Sequence, residues 1–253
     1  MKYTRFILEK SVSLRRKISE KNVSNRDWQA VRNIQNQILE SYRNDFSKHV
    51  PKEILPRINM VWESIPAQLG KENKKFIYGL IRQGARAKDF ELAIQWLTDA
   101  GLLHKVYNTS KPAIPLNSYQ ELSNFKLYHN DVGLLGAMSN LNATTIVDDI
   151  AIFVEFKGAL SENYVFQQLI QNKNFSIFYH TFDNSKYELD FLVQTDKNEI
   201  IPIEVKAGEN LASASFKLFC RKNDTKIAIK TSLTDYKKES WMTNLPLYSI
   251  STL

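Results

Sequence analysis

The stretches ELDFLV (residues 188–193) and IIPIEVK (residues 200–206) decide the fold of this chain. Apolar and polar side chains alternate along both stretches, as in β-strands that have one apolar face. The apolar sets on the two predicted strands are Leu189, Phe191 and Val193, and Ile201, Ile203 and Val205. Burying both sets on the same side fixes the parity of the register, because a slip of one residue would turn one set outward.

The shortest turn that keeps this parity lies at residues 196–198. It places Asp190 directly opposite Glu204, with Lys206 two residues further along the same face. Two carboxylates at that distance repel each other unless a cation lies between them. We therefore predict that Asp190 and Glu204 bind a divalent cation. Carboxylate ligands without a His or Cys partner suit Mg²⁺ or Mn²⁺ rather than zinc.

A lysine next to such a cation suggests hydrolysis. A bound metal can activate water and neutralise charge on a phosphodiester, while Lys206 orients the water or stabilises the transition state. The pattern of an acidic residue, any residue and lysine is uninformative alone, since it occurs five times in the chain. The copy at Glu204 differs because it lies on an alternating strand, with Asp190 opposite and Glu162 on a preceding predicted helix.

The region from residue 156 onward predicts the order helix, strand, strand, strand, helix. Its first helix has Glu162 near its start, and residues 176–179 predict the first short strand. Upstream, apolar residues at spacings of three and four predict helices over residues 30–49, 54–70 and 89–101. Residues 102–107 predict a strand and residues 125–128 a return strand, which makes this region winged-helix-like.

A winged helix would read DNA with the exposed side of its third helix. Here that side carries Asp89, Glu91 and Asp99, and carboxylates are repelled by phosphates. We therefore prefer an architectural role for this helix. Overall, we predict an α/β (α+β) chain, with a helical and winged-helix-like region at residues 1–145 and the domain that holds the candidate site at residues 146–253.

The net charge of +7 suggests a nucleic-acid partner, but its position matters. Residues 1–50 hold eleven Lys and Arg against five acidic residues, so nearly all of the excess lies there. The region of the candidate site is close to neutral, and charge alone does not identify DNA as the partner.

No apolar run approaches the roughly 20 residues of a membrane span, and the single cysteine, Cys220, fits a reducing compartment. We expect a cytosolic protein without membrane contact, in which Cys220 has a packing role.

The histidines are weaker candidates for catalysis. None of the four has a Ser, Cys or carboxylate partner at a recognisable spacing, so we expect packing or surface roles for them. They are His49, His104, His129 and His180.

A helix glutamate, a strand aspartate and a Glu-x-Lys strand together resemble the PD-(D/E)XK nuclease superfamily, which includes restriction enzymes and Holliday junction resolvases. The matching residues are Glu162, Asp190, Glu204 and Lys206. The resemblance implies a restriction-endonuclease-like mixed sheet and a nuclease that needs Mg²⁺ or Mn²⁺. It further implies metal ligation by Asp190 and Glu204, with Glu162 assisting the metal or the lysine, and nucleic acid, chiefly DNA, as the partner.

Three segments, at residues 157–162, 188–191 and 203–208, are also similar to the carboxy-terminal nuclease-like domain of a bacterial and archaeal AAA-type ATPase family. Residues 126–135 resemble the winged-helix segment of that family. The chain lacks the Gly-x-x-x-x-Gly-Lys-[Ser/Thr] phosphate-binding loop, so we do not carry over nucleotide hydrolysis. A separate ATPase chain or self-association is an expected partner. The alternative to a nuclease is a non-catalytic module that binds DNA or an ATPase and keeps a vestigial nuclease site.

Overall fold

The computed structural model describes residues 27–71, 74–141, 154–182, 186–208 and 213–253. Contacts divide these residues into two compact units. The amino-terminal unit contains the described residues up to His104 and those from Leu127 to Leu141, and the carboxy-terminal unit contains Lys105–Lys126 and everything described from Val154 onward. The basic first 25 residues and the boundary predicted between residues 145 and 146 lie outside the described residues.

The amino-terminal unit is helical. Its helices are α1 (Trp28–His49), α2 (Leu55–Leu69), α3 (Ala87–Asp99) and α4 (Val132–Met138). Helix α1 begins where the Asp27 carboxylate accepts a hydrogen bond from the backbone N–H of Ala30, and α4 begins where Asp131 accepts one from Leu134. The helices predicted over residues 30–49, 54–70 and 89–101 are therefore confirmed.

Helix α3 ends in a left-handed turn that leads into the first strand. Gly101 has a φ of 67°, a conformation that glycine adopts without steric cost. The N–H of Leu102 donates to the carbonyl of Leu97, and the N–H of Gly101 donates to that of Thr98. This Schellman pattern satisfies the last carbonyls of the helix.

Aromatic side chains form the centre of the amino-terminal unit. Trp62 of α2 is 1% exposed, and Phe46 of α1 meets both Trp62 and Trp96 edge to face, with ring centroids 5.7 and 5.5 Å apart. Tyr42 packs against Trp62 in the same way at 6.0 Å. Edge-to-face contacts of this kind add to the stabilisation that apolar burial provides.

The carboxy-terminal unit holds most of a mixed sheet, except residues 103–104 and 127–129, which belong to the amino-terminal unit. The strands are β1 (Leu103–Thr109), β2 (Gln120–His129), β3 (Ser176–Phe182), β4 (Tyr187–Gln194), β5 (Ile200–Val205), β6 (Ile229–Ser232), β7 (Lys237–Lys238) and β8 (Thr243–Pro246). They lie in the order β2-β1-β3-β4-β5-β6-β8-β7. The β1/β3, β5/β6 and β6/β8 pairs are parallel, whereas β3/β4, β4/β5 and β7/β8 are antiparallel. The α/β fold class is therefore confirmed.

Two helices pack against this sheet. In α5 (Val154–Leu169), Phe166 stacks on Phe191 of β4 with ring centroids 6.5 Å apart. In α6 (Ala214–Lys222), Phe216, Phe219 and Cys220 join a buried apolar cluster. Burial raises the pKa of the Cys220 thiol to about 11, in keeping with its predicted packing role. None of the helices in the described ranges has the length and apolar character needed to cross a membrane.

Candidate active site

The turn between β4 and β5 sets the register of the site. Phe191 pairs with Ile203 and Val193 with Ile201. The N–H of Thr195 donates to the carbonyl of Glu199, which closes the turn over residues 196–198. The turn prediction is thus confirmed. The paired residues end at Phe191 and Ile203, and continuing this register by one residue would set Asp190 opposite Glu204.

Glu204 and Lys206 meet at the end of β5. The ammonium of Lys206 lies 2.8 Å from Oε1 of Glu204, and the hydroxyl of Ser213 donates to the same oxygen at 3.2 Å. The backbone N–H of Lys206 donates to the carbonyl of Thr231, which holds the chain beside β6 just beyond the last residue of β5. Glu204 is 6% exposed, while the Lys206 side chain keeps about a third of its surface accessible.

The side chain of Asp190 contacts the backbone of β5. Its Oδ2 accepts a hydrogen bond of 2.7 Å from the backbone N–H of Val205. Burial alone would lower the pKa of Lys206, but the carboxylates of Glu204 and Asp190 outweigh burial and raise that pKa. Asp190, Glu204 and Lys206 therefore form one electrostatically coupled group.

Glu162 has a different environment. It lies in the middle of α5, not near the helix start as predicted, because the helix begins earlier, at Val154. Its Oε1 is 3.1 Å from the ammonium of Lys126, which lies 2.6 Å from Oε1 of Glu188. Lys126 is fully buried, and Glu162 is 1% exposed.

Lys126 joins the two groups of carboxylates. Burial would lower its pKa, but Glu162, Glu188 and Asp190 together outweigh that effect and raise it. The Lys126 ammonium also lies 4.8 Å from the centre of the Tyr179 ring, within the range of a cation–π interaction. Asp190 therefore interacts electrostatically with two lysines, Lys126 and Lys206.

A third lysine lies on the other side of Glu204. Lys230 of β6 is paired in register with Glu204 and is fully buried. Burial lowers the pKa of Lys230, although the charge of Glu204 opposes the shift. The carboxylates of the site are thus surrounded by ammonium groups on β2, β6 and the segment after β5.

The predicted ion was to be held by Asp190 and Glu204, with Glu162 assisting the metal or the lysine. Within the described part of the chain, no group of three or more His, Cys, Asp or Glu side chains is placed to hold one metal ion. The pair Asp190 and Glu204 still suits Mg²⁺, which commonly binds one or two carboxylates and completes its shell with water and substrate phosphates. Glu162 is placed beside a lysine, since its carboxylate is paired with Lys126.

Comparison with known families gives two matches. A family model described as domain of unknown function DUF8612 matches residues 17–145, just over half of the chain. The chain belongs to this family. A second model, described as domain of unknown function DUF4143, matches residues 157–250, which contain Glu162, Asp190, Glu204 and Lys206. Neither curated proteins nor solved structures gave a match.

Sequence reasoning about this DUF8612 protein missed Lys126, Glu188 and Lys230. Lys126 is flanked by Phe125 and Leu127 in a buried stretch of β2. A lysine is almost never fully buried without a charged partner, so its place in an apolar run was a usable signal. The sequence also carried a signal for Glu188. Side chains two residues apart on a strand point to the same face, so Glu188 shares the face of β4 that carries Asp190.

Proposed function

We propose that the carboxy-terminal unit is a nuclease that hydrolyses phosphodiester bonds of nucleic acid, chiefly DNA, with Mg²⁺ or Mn²⁺. One observation carries this proposal. Asp190 accepts a hydrogen bond from the backbone N–H of Val205, the neighbour of Glu204, and the Lys206 ammonium lies 2.8 Å from Glu204. A carboxylate pair with an adjacent lysine is an arrangement suited to hydrolysing a phosphate ester.

Asp190 and Glu204 would hold the ion, which when bound supplies charge neutralisation and an activated water. The ammonium of Lys206 would act as a cation that orients water and offsets charge on the phosphate. About a third of its side-chain surface is accessible, which leaves room for a substrate to approach.

Glu162 has a positioning role in this proposal. Its carboxylate holds the Lys126 ammonium, and that ammonium interacts with Asp190. Glu162 therefore acts on the metal ligand through Lys126.

The test is cleavage by the full chain of single-stranded DNA, double-stranded DNA and RNA, with Mg²⁺ or Mn²⁺ and with EDTA. Asp190→Asn and Glu204→Gln should each abolish metal-dependent cleavage, while circular dichroism shows a folded protein. Asp196→Asn, an exposed change in the β4/β5 turn, is the matched control and should keep full activity. Absence of cleavage on every substrate, or cleavage that survives Asp190→Asn, would overturn the proposal.

A second candidate is a non-catalytic module that binds nucleic acid or a separate ATPase chain. The observation that favours it is the charge compensation by Lys126, Lys206 and Lys230, which stabilises the carboxylates without a metal ion. Titration calorimetry separates the candidates. The nuclease requires Mg²⁺ binding that Asp190→Asn removes, whereas the module binds DNA equally well in EDTA and in that variant. With either function we propose a cytosolic location, which suits the free Cys220.

A further inference from the structure

A cavity of about 720 Å³ in the carboxy-terminal unit shares no residue with the candidate active site. Residues of β1, β2, β3 and α6 line it, all from one compact unit. Small-molecule sites commonly have this size and combine apolar walls with a few polar groups.

His180 provides a defined polar group in this cavity. It is 5% exposed, and its Nδ1 lies 2.6 Å from the carbonyl oxygen of Thr109. Because a carbonyl can only accept, Nδ1 carries the proton, and Nε2 of the neutral ring presents a lone pair. Nε2 has no hydrogen-bond partner among the residues that the structure describes. The cavity wall thus contains a buried acceptor that suits an N–H donor from a ligand.

Hydrogen bonds also hold the polar side chains next to His180 in place. The amides of Asn108 and Asn124 both donate to Oε2 of Glu121, at 2.7 and 2.6 Å. Oδ1 of Asn108 in turn accepts from the backbone N–H of Thr181 at 3.0 Å. Each of these bonds to Glu121 uses one of the two N–H groups of an amide. The acceptors of the wall are Nε2 of His180 and the carboxylate of Glu121, which also brings a negative charge.

The rest of the cavity lining provides the flat surfaces of aromatic rings and one ammonium group. The Phe182 ring is nearly parallel to the His180 ring, at 11°, and Phe219 lies 5.5 Å from Phe182. Lys222 and Leu218, both exposed on α6, lie at the rim. A fitting ligand is planar and aromatic, with an N–H donor for Nε2 of His180 and a negative charge for the ammonium of Lys222.

We infer that this cavity binds a mononucleotide. The base lies against Phe182 and Phe219 and donates an N–H to Nε2 of His180, and the phosphate lies near Lys222. Stacking on aromatic rings supports all bases, and the acceptor wall favours bases with N–H groups at the Watson–Crick edge. This site is separate from the proposed nuclease site and does not depend on it.

The experiment is calorimetric titration of the full chain with GMP, AMP, CMP and UMP, and with the matching nucleosides. EDTA and the Asp190→Asn background exclude binding at the nuclease site. At least one mononucleotide should bind, and Leu218→Trp, which places a large ring at the rim, should abolish binding. Leu233→Trp is the control, since Leu218 and Leu233 are both 52% exposed and Leu233 lies outside the cavity.

Two further variants test the two ends of the ligand. His180→Asn keeps a donor for the Thr109 carbonyl but removes the Nε2 acceptor, so binding of nucleotide and nucleoside should weaken about tenfold, equivalent to 1.4 kcal/mol. Lys222→Ala should weaken the nucleotide about fivefold and leave the nucleoside unchanged. Binding of no mononucleotide, binding that survives Leu218→Trp, or equal loss of nucleotide and nucleoside in Lys222→Ala would overturn the inference.

Discussion

The amino-terminal unit packs aromatic side chains around Trp62 and buries the carboxylate of Asp45, whereas the carboxy-terminal unit buries four charged side chains, those of Lys126, Glu162, Glu204 and Lys230. Burying an apolar side chain stabilises a fold by removing surface from water, and many side chains of similar volume serve that purpose. Burying a charge costs free energy unless a partner of opposite charge lies at the right distance. The interior of the amino-terminal unit therefore tolerates more substitutions than that of the carboxy-terminal unit. The candidate active site lies in the less tolerant unit.

The largest effect is expected for Lys126→Met. Methionine keeps the unbranched stem but removes the ammonium that pairs with Glu162 and Glu188. Breaking a buried pair by removing one partner costs about 3–5 kcal/mol. Amide hydrogen exchange in β3 and β4 should report that loss in the free energy of unfolding of the carboxy-terminal unit.

The triple variant Lys126→Met, Glu162→Gln, Glu188→Gln is the control for this effect. It removes Lys126 together with the charges of the two carboxylates that pair with it, so it should recover at least half of the lost stability. A loss below about 1 kcal/mol for Lys126→Met alone would mean that the network contributes no more than a surface ion pair, and the contrast between the units would fail.

A smaller effect is expected for the comparable change in the amino-terminal unit, Phe46→Leu. Phe46 is fully buried and loses its edge contacts with Trp62 and Trp96, but leucine still fills most of its space. We expect a loss of about 1–2 kcal/mol in the free energy of unfolding. Urea denaturation followed by tryptophan fluorescence measures it. Leu92→Ala, at a side chain 64% exposed on α3, should change stability by less than about 0.5 kcal/mol. A loss in Phe46→Leu as large as in Lys126→Met would erase the difference between the units.

The contrast also explains what the sequence could predict. Alternation along β4 and β5 placed Asp190 opposite Glu204 because periodicity and a short turn are local properties. The Lys126 to Glu162 pair spans 36 residues and depends on how β2 and α5 approach each other, which no local pattern specifies. The parallel pairing of β1 with β3 likewise joins strands that are distant in the sequence, so no local pattern predicts it. The sequence therefore gave no sign that the partner of Glu162 would be Lys126, a lysine 36 residues away.

The smallest effect concerns pH and His180. Burial lowers the pKa of His180, with Lys222 adding to the shift and the Thr109 carbonyl and Glu121 opposing it. The unfolded chain takes up a proton near pH 6.5. The folded chain takes one up only at lower pH, so the stability that the neutral ring contributes is present above about pH 6.5 and is lost as pH falls towards the folded pKa. Urea denaturation near pH 7.5 and near pH 5 should show a larger loss on acidification for the native chain than for His180→Asn, which has no titrating ring. Equal losses would mean that His180 is as accessible to protons in the folded chain as in the unfolded one.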